Sequence, residues 1–236
     1  AARDLEDALD APDVVAHPVR ANKACVHAIR AQMYMYQGNW PQMLTEADRA
    51  WTLSLANNQN DPDNMLYNYN DFELAEPKTP PTPKPGEDIE YYYTFRVKEG
   101  KQDADWNQNY NKENLLFRNC PYRGAYTYLS QEYIDLFAEN DMRRKLFIFN
   151  VAGYEKEVDG GTLSDGIVKY NMRDSKMSGG RTQGISYPIL LLMRAEAYAR
   201  NNKLTDALAD LHLLRKYRYE NDGVTAAQWE LPGGAA

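Results

Sequence analysis

The chain has 236 residues, 43 % of them hydrophobic, enough for one large or two small domains with a packed core. With 34 acidic residues against 27 basic ones the net charge is −7, and no Lys/Arg cluster or stripe appears, which argues against nucleic acid as a partner. No apolar run approaches the roughly 18 residues of a membrane-spanning helix.

The chain opens with AARDLEDAL, a helix-like pattern already under way. Together with the closing LPGGAA, which forms no recognisable terminal element, it suggests a piece of a longer protein. Residues 21–56 (ANKACVHAIRAQMYMYQGNWPQMLTEADRAWTLSLA) read as a helical hairpin. Ala24, Ala28, Ala31 and Met35 recur at helical spacing on one face. Gly38-Asn39 makes the turn, and Pro41 suits the first turn of the following helix, where a missing N–H costs nothing. That helix keeps Leu44, Ala47 and Ala50 inward. Cys25 falls inside the apolar pattern, so a buried thiol is expected there. With Cys120 as the second cysteine, the chain has neither a disulfide framework nor a zinc set.

A loop-rich excursion follows over 57–128. Residues 57–64 (NNQNDPDN) are a polar loop, and 66–71 (LYNYND) set Tyr67 and Tyr69 among amides. The five prolines of 76–88 (EPKTPPTPKPGED) demand an extended connector. IEYYYTFRV at 89–97 is β-branched and aromatic, the pattern of a short strand. Its Tyr91, Tyr92 and Tyr93 alternate faces. DADWNQNYNKEN at 103–114 mixes carboxylates and amides with Trp106 and Tyr110. Asp103, Asp105 and Asn107 fill positions 1, 3 and 5 of a calcium loop, but Gln108 stands where glycine is needed and Asn114 where a bidentate Glu is needed. That argues against an EF-hand and leaves open a looser calcium role for Asp103 and Asp105. The same stretch offers a ring for the C–H face of a sugar and side chains for its hydroxyls. The plain alternative is an ordinary surface loop.

Ser130 is an N-cap candidate for a helix carrying Tyr133, Ile134, Leu136 and Phe137 and ending near Asn140. Glycine turns are expected at 159–161 and 178–180, with a short strand in GIVKYNM between them. Residues 187–219 (YPILLLMRAEAYARNNKLTDALADLHLLRKYRY) repeat the first hairpin in register. Ala195 corresponds to Ala31, Tyr198 to Tyr34, Asn202 to Gly38, Leu204 to Trp40 and Ala207 to Met43. Small residues at fixed places let two helices lie close, which is the tetratricopeptide hairpin pattern. Tyrosine is abundant, 18 copies against six phenylalanines, which suits wet binding surfaces as well as half-buried helix faces.

Chemistry is hard to find. There is no H-E-x-x-H, G-x-x-x-x-G-K-[ST], G-x-S-x-G or G-x-G-x-x-G motif. His17, His27 and His212 are scattered, and carboxylate pairs such as Glu155/Glu157 arise by chance in any acidic chain. No catalytic residue, metal or cofactor is expected.

Four stretches in order resemble the SusD/RagB family of outer-membrane nutrient-binding lipoproteins: the 21–56 hairpin preceded by DLEDAL, the LSQEYIDLFAENDMRRKLF segment with Asp141-Met142-Arg143, the VKY strand at 168–170, and the 187–219 hairpin. The resemblance implies one mainly α SusD-like domain over 1–236, with tetratricopeptide-like hairpins, long loop excursions and short β-strands. It implies a longer surface-exposed lipoprotein of the cell outer membrane, held by a lipid anchor this chain does not include. Its function would be non-catalytic binding of oligosaccharide for delivery to a SusC-like TonB-dependent transporter. The alternative is a protein- or peptide-binding adaptor of the same uptake complex. Composition and location then point to Trp106, Asn107, Tyr110, Tyr67 and Tyr69 as ligand contacts.

Overall fold

The computed structural model describes residues 2–75, 94–101, 111–117, 119–120, 131–151, 155–158, 161–164, 169–172, 181–182 and 184–220. The described residues are mainly α, with short strands. In chain order they are α1 (Ala2–Asp7), α2 (Lys23–Tyr36), α3 (Trp40–Asn57), β1 (Phe72–Ala75), β2 (Thr94–Val97), β3 (Asn119–Cys120), α4 (Gln131–Ile134) and α5 (Met142–Phe147). Then come β4 (Ile148–Val151), β5 (Glu155–Val158), β6 (Gly161–Ser164), β7 (Lys169–Met172), β8 (Arg181–Thr182), α6 (Tyr187–Arg200) and α7 (Leu204–Arg218). The strands form antiparallel pairs, β1 with β2, β3 with β8, β4 with β7 and β5 with β6.

Both hairpins fold as local chemistry dictates. Asn22 caps α2 by accepting the Cys25 N–H at 2.9 Å, and Asn39 caps α3 by accepting the Gln42 N–H at 3.4 Å. Gly38 turns the chain at φ +68°, and Asn202 does so at φ +60° in the matching position of the second hairpin. Glycine takes this left-handed conformation freely and asparagine tolerates it. Ser186 caps α6, with Pro188 in its first turn as Pro41 is in that of α3. Ala24, Ala28, Ala31, Ala47, Ala50 and Ala197 are fully buried, so the helices approach closely. Trp51, Leu190, Leu191 and Met193 fill the remaining space. Burying each of the leucines contributes about 1.5–3 kcal/mol. Cys25 lies in this core, as its place in the pattern implies.

The two hairpins join into one stack. Asn201 donates to the Trp40 carbonyl at 2.9 Å at one end of the α3–α6 seam. Asn58 donates to the Tyr187 hydroxyl at 3.4 Å at the other. The two helices therefore run antiparallel, side by side, although Asn58 and Tyr187 stand 129 positions apart. Between these ends Arg194 makes a two-pronged pair with Asp210 of α7, at 2.7 and 2.5 Å, and reaches Asp48 of α3 at 3.5 Å. Its guanidinium lies over Trp51 and Tyr198, and the Tyr198 hydroxyl donates to Asp48 at 2.7 Å. One arginine thus ties three helices together.

Two sequence expectations need correction. The helix expected from Ser130 to Asn140 is shorter: α4 spans four residues and ends at Ile134, a turn follows, and a separate helix, α5, starts at Met142. Asp141 decides the break. It is fully buried, its carboxylate accepts the Arg143 N–H at 2.9 Å, and the Arg143 side chain closes over it at 2.5 Å. This local capping starts a new helix at the expense of the old one. Leu136, expected on the apolar face, is 78 % exposed. In the second hairpin, Leu204 does not take the place of Trp40: Trp40 packs on the core, whereas Leu204 is 63 % exposed. The strand expected at 89–97 is present as β2 over its described part. The expected capping by Ser130, the tyrosines at 91–93 and the glycine turn at 178–180 lie outside the described residues.

Candidate ligand-binding face

The polar-aromatic stretch 66–71 and residues 111–114 are brought together at one end of the stack. The loop after α3 is built from short side-chain turns: Asp61 accepts the Asp63 N–H and Asn68 accepts the Asn70 N–H, at 2.9 and 3.1 Å. These turns place Tyr67, Tyr69 and Phe72 against Met142 and Leu146 of α5, in a second small core. The segment 111–117 is laced to the start of α6. Tyr187 N–H donates to the Glu113 carbonyl, and the N–H groups of Leu115 and Leu116 donate to the Ile185 carbonyl.

Arg218, at the end of α7, is the hinge pin of this arrangement. It is 4 % exposed. One Nη donates to the Tyr67 carbonyl and the other to Glu113 Oε1, both at 2.6 Å. The same Glu113 oxygen accepts the Tyr67 N–H at 2.8 Å. The guanidinium stacks on the Tyr69 ring, 4.0 Å from its centroid. A buried cation is therefore paired and hydrogen-bonded through both Nη atoms, which is the condition for tolerating it. Beside it, the Tyr217 hydroxyl donates to Asp63 in a very short contact.

Lysines hold the rim. Lys112 Nζ donates to the Asp63 carbonyl at 2.6 Å and sits 4.7 Å over the Tyr67 ring. Partial burial lowers its pKa. Lys101 pairs with Asp71 at 3.2 Å, and the Lys98 N–H donates to the Asp71 carbonyl at 2.8 Å. Burial pushes the Tyr69 phenol up to about 12, with Arg218 opposing the shift and Glu113 adding to it. That ring is therefore a neutral packing element at physiological pH.

Of the residues expected to contact a ligand, Tyr67 and Tyr69 are 7 % and 9 % exposed. Their rings form the packed base of this face; neither is an open platform on which a sugar can stack. Trp106, Asn107 and Tyr110 lie outside the described residues, as do Asp103 and Asp105. Their flanks are described, and Lys101 on one side and Lys112 on the other are both tied to the 61–71 loop. Sequence reading passed over Glu113, Lys112, Asp63, Tyr217 and Arg218. Their partners lie 45 to 154 positions away, a separation that leaves no periodic trace.

Among the described residues no group of three or more His, Cys, Asp or Glu could hold a metal ion, and no helix is long and apolar enough to cross a membrane. No protein-family model matches the chain, and no curated protein matches it.

Proposed function

We propose that the chain is the scaffold and part of the ligand face of a SusD/RagB-type surface lipoprotein. It binds oligosaccharide without catalysis and presents it to a TonB-dependent outer-membrane transporter. The α2–α3 and α6–α7 stack is, on this reading, a pair of tetratricopeptide-like hairpins. Their matched left-handed turns at Gly38 and Asn202 support it.

The observation that carries the proposal is the anchoring of the 102–110 flanks. Both Lys101 and Lys112 are fixed to the loop that holds Tyr67 and Tyr69. The two ends from which the sugar-compatible stretch runs are thus both held on a packed base. Ligand sites of this kind need a supporting shell that locks the residues beneath the contact side chains. In the proposed mode, Trp106 covers the apolar C–H face of a sugar ring. Asn107 and Tyr110 exchange hydrogen bonds with its hydroxyls. Tyr67 and Tyr69 act from below, through the packing of the base.

The test is calorimetric titration of wild type and Trp106→Ala with a binding oligosaccharide. Loss of one stacking ring costs about 1–3 kcal/mol, a fall of about ten- to a hundredfold in affinity. Unchanged affinity in the variant removes Trp106 from the site. Binding of peptide but of no glycan favours the adaptor reading.

A further inference from the structure

A second feature lies on the stack itself. His27 of α2 is 5 % exposed, and its Nδ1 stands 2.6 Å from Glu46 Oε2 of α3. Glu46 is itself 3 % exposed, and its other oxygen takes Arg30 at 3.1 Å. A carboxylate on Nδ1 requires a proton there, and in the neutral imidazole this makes Nε2 the acceptor. Nε2 has no partner among the described residues. It is also not among the sealed-off polar atoms, of which Arg30 Nε is the one found among the described residues. His27 lines a groove of about 550 Å³ together with Asp48, Arg49, Thr52 and Leu53.

The groove carries both signs of charge. The Asp48 side chain is 44 % exposed; its Oδ1 is engaged by Tyr198 and Arg194, and its Oδ2 has no partner among the described residues. Arg49, one helical position on, makes no ion pair with any described residue. The charged groups around the groove balance: Arg30, Arg49 and Arg194 against Glu46, Asp48 and Asp210. A balanced site does not favour a simple anion or cation. None of the lining residues is Trp, Tyr or Phe, and the His27 ring is only 5 % exposed, so the groove offers no broad stacking surface for a sugar. A free carboxylate oxygen and a ring lone pair beside an unpaired guanidinium and an apolar wall suit one ligand type. We infer that the groove between His27 and Leu53 binds a zwitterionic amino acid. Its ammonium faces Asp48 Oδ2 and His27 Nε2, its carboxylate faces Arg49, and its side chain lies on Leu53. The volume falls in the range of small-molecule sites. The inference is independent of the glycan reading.

Three histidines in the chain make the test direct. The full chain is titrated with L-leucine while the imidazole signals of His17, His27 and His212 are followed by NMR. The expected result is a saturable shift of His27 alone. N-acetyl-leucine, which lacks the ammonium, and leucine amide, which lacks the carboxylate, should each bind at least tenfold more weakly. Arg49→Gln, a change at an exposed position that leaves the fold intact, should weaken leucine at least tenfold and leave leucine amide unchanged. No shift of His27, equal binding of all three ligands, or an equal response to glucose would overturn the assignment.

Discussion

Arg218 concentrates the stability of the candidate face in one side chain. It holds Glu113 and the Tyr67 carbonyl, partners 105 and 151 positions away in sequence. Arg218→Met leaves Glu113 buried without its cation and the Tyr67 carbonyl without its donor. The expected loss is about 3–5 kcal/mol, read from urea unfolding. A loss under about 1 kcal/mol would mean that the pair is dispensable. Tyr69, beneath the same guanidinium, predicts a pH effect. Its phenol rises from the ordinary value of 10.0 to about 12 on folding, chiefly through burial. The folded state thus holds this proton more tightly than the unfolded chain does. The stabilisation is present in full below the unfolded value and is lost as pH rises from 10.0 to about 12. Wild type should therefore lose more stability than Tyr69→Phe between about pH 9 and about pH 11.5. Parallel urea curves for the two proteins over that interval would remove Tyr69 as the cause.

The hairpins are the elements most legible in the sequence, because their determinants are local. Alanine spacing, Pro41 and Pro188, and a turn residue five positions before the first buried residue of the second helix (Gly38 to Met43, Asn202 to Ala207) all appear within single hairpins. The turns make a test. A Cβ at Gly38 meets nothing within 4 Å, so Gly38→Ala pays only for its φ of +68°. About 1–2 kcal/mol is expected. Asn202→Ala should cost a similar amount and Asn202→Gly nothing, read from thermal midpoints; a costly Asn202→Gly would show that the asparagine side chain, not its backbone, matters. The early end of α4 at Ile134 and the separate start of α5 at Met142 were not legible. The apolar spacing is genuine, but a buried Asp141 capped by its own Arg143 overrides the period, and burial of a carboxylate cannot be read from a local pattern. The strand pairs were legible only in part. β2 carries β-branched and aromatic residues and β7 a tyrosine, whereas three of the four residues of β5 are charged and it declares itself only through its partner.

At the scale of the molecule, a stack of α2, α3, α6 and α7 closes although a long excursion separates its halves, because the seam is specified at both ends and in the middle by Asn201, Arg194 and Asn58. The repeat in the sequence foretold two similar hairpins; it did not foretell that they would pack as neighbours. The excursion returns to the end of α7 through Arg218 and presents the flanks of 102–110 on a packed base. For the candidate site, the tyrosines were legible as residue types but not as buried ones, since composition does not distinguish a wet ring from a packed one. The glycan-binding proposal makes its sharpest claim about the whole chain: it holds sugar and does not cut it. The measurement is calorimetric titration of the wild-type chain with a panel of oligosaccharides, followed by assay of each mixture for new reducing ends. Saturable heat from one glycan class, with that glycan recovered intact, is the predicted result. Silence across the panel, or release of reducing ends, would contradict it.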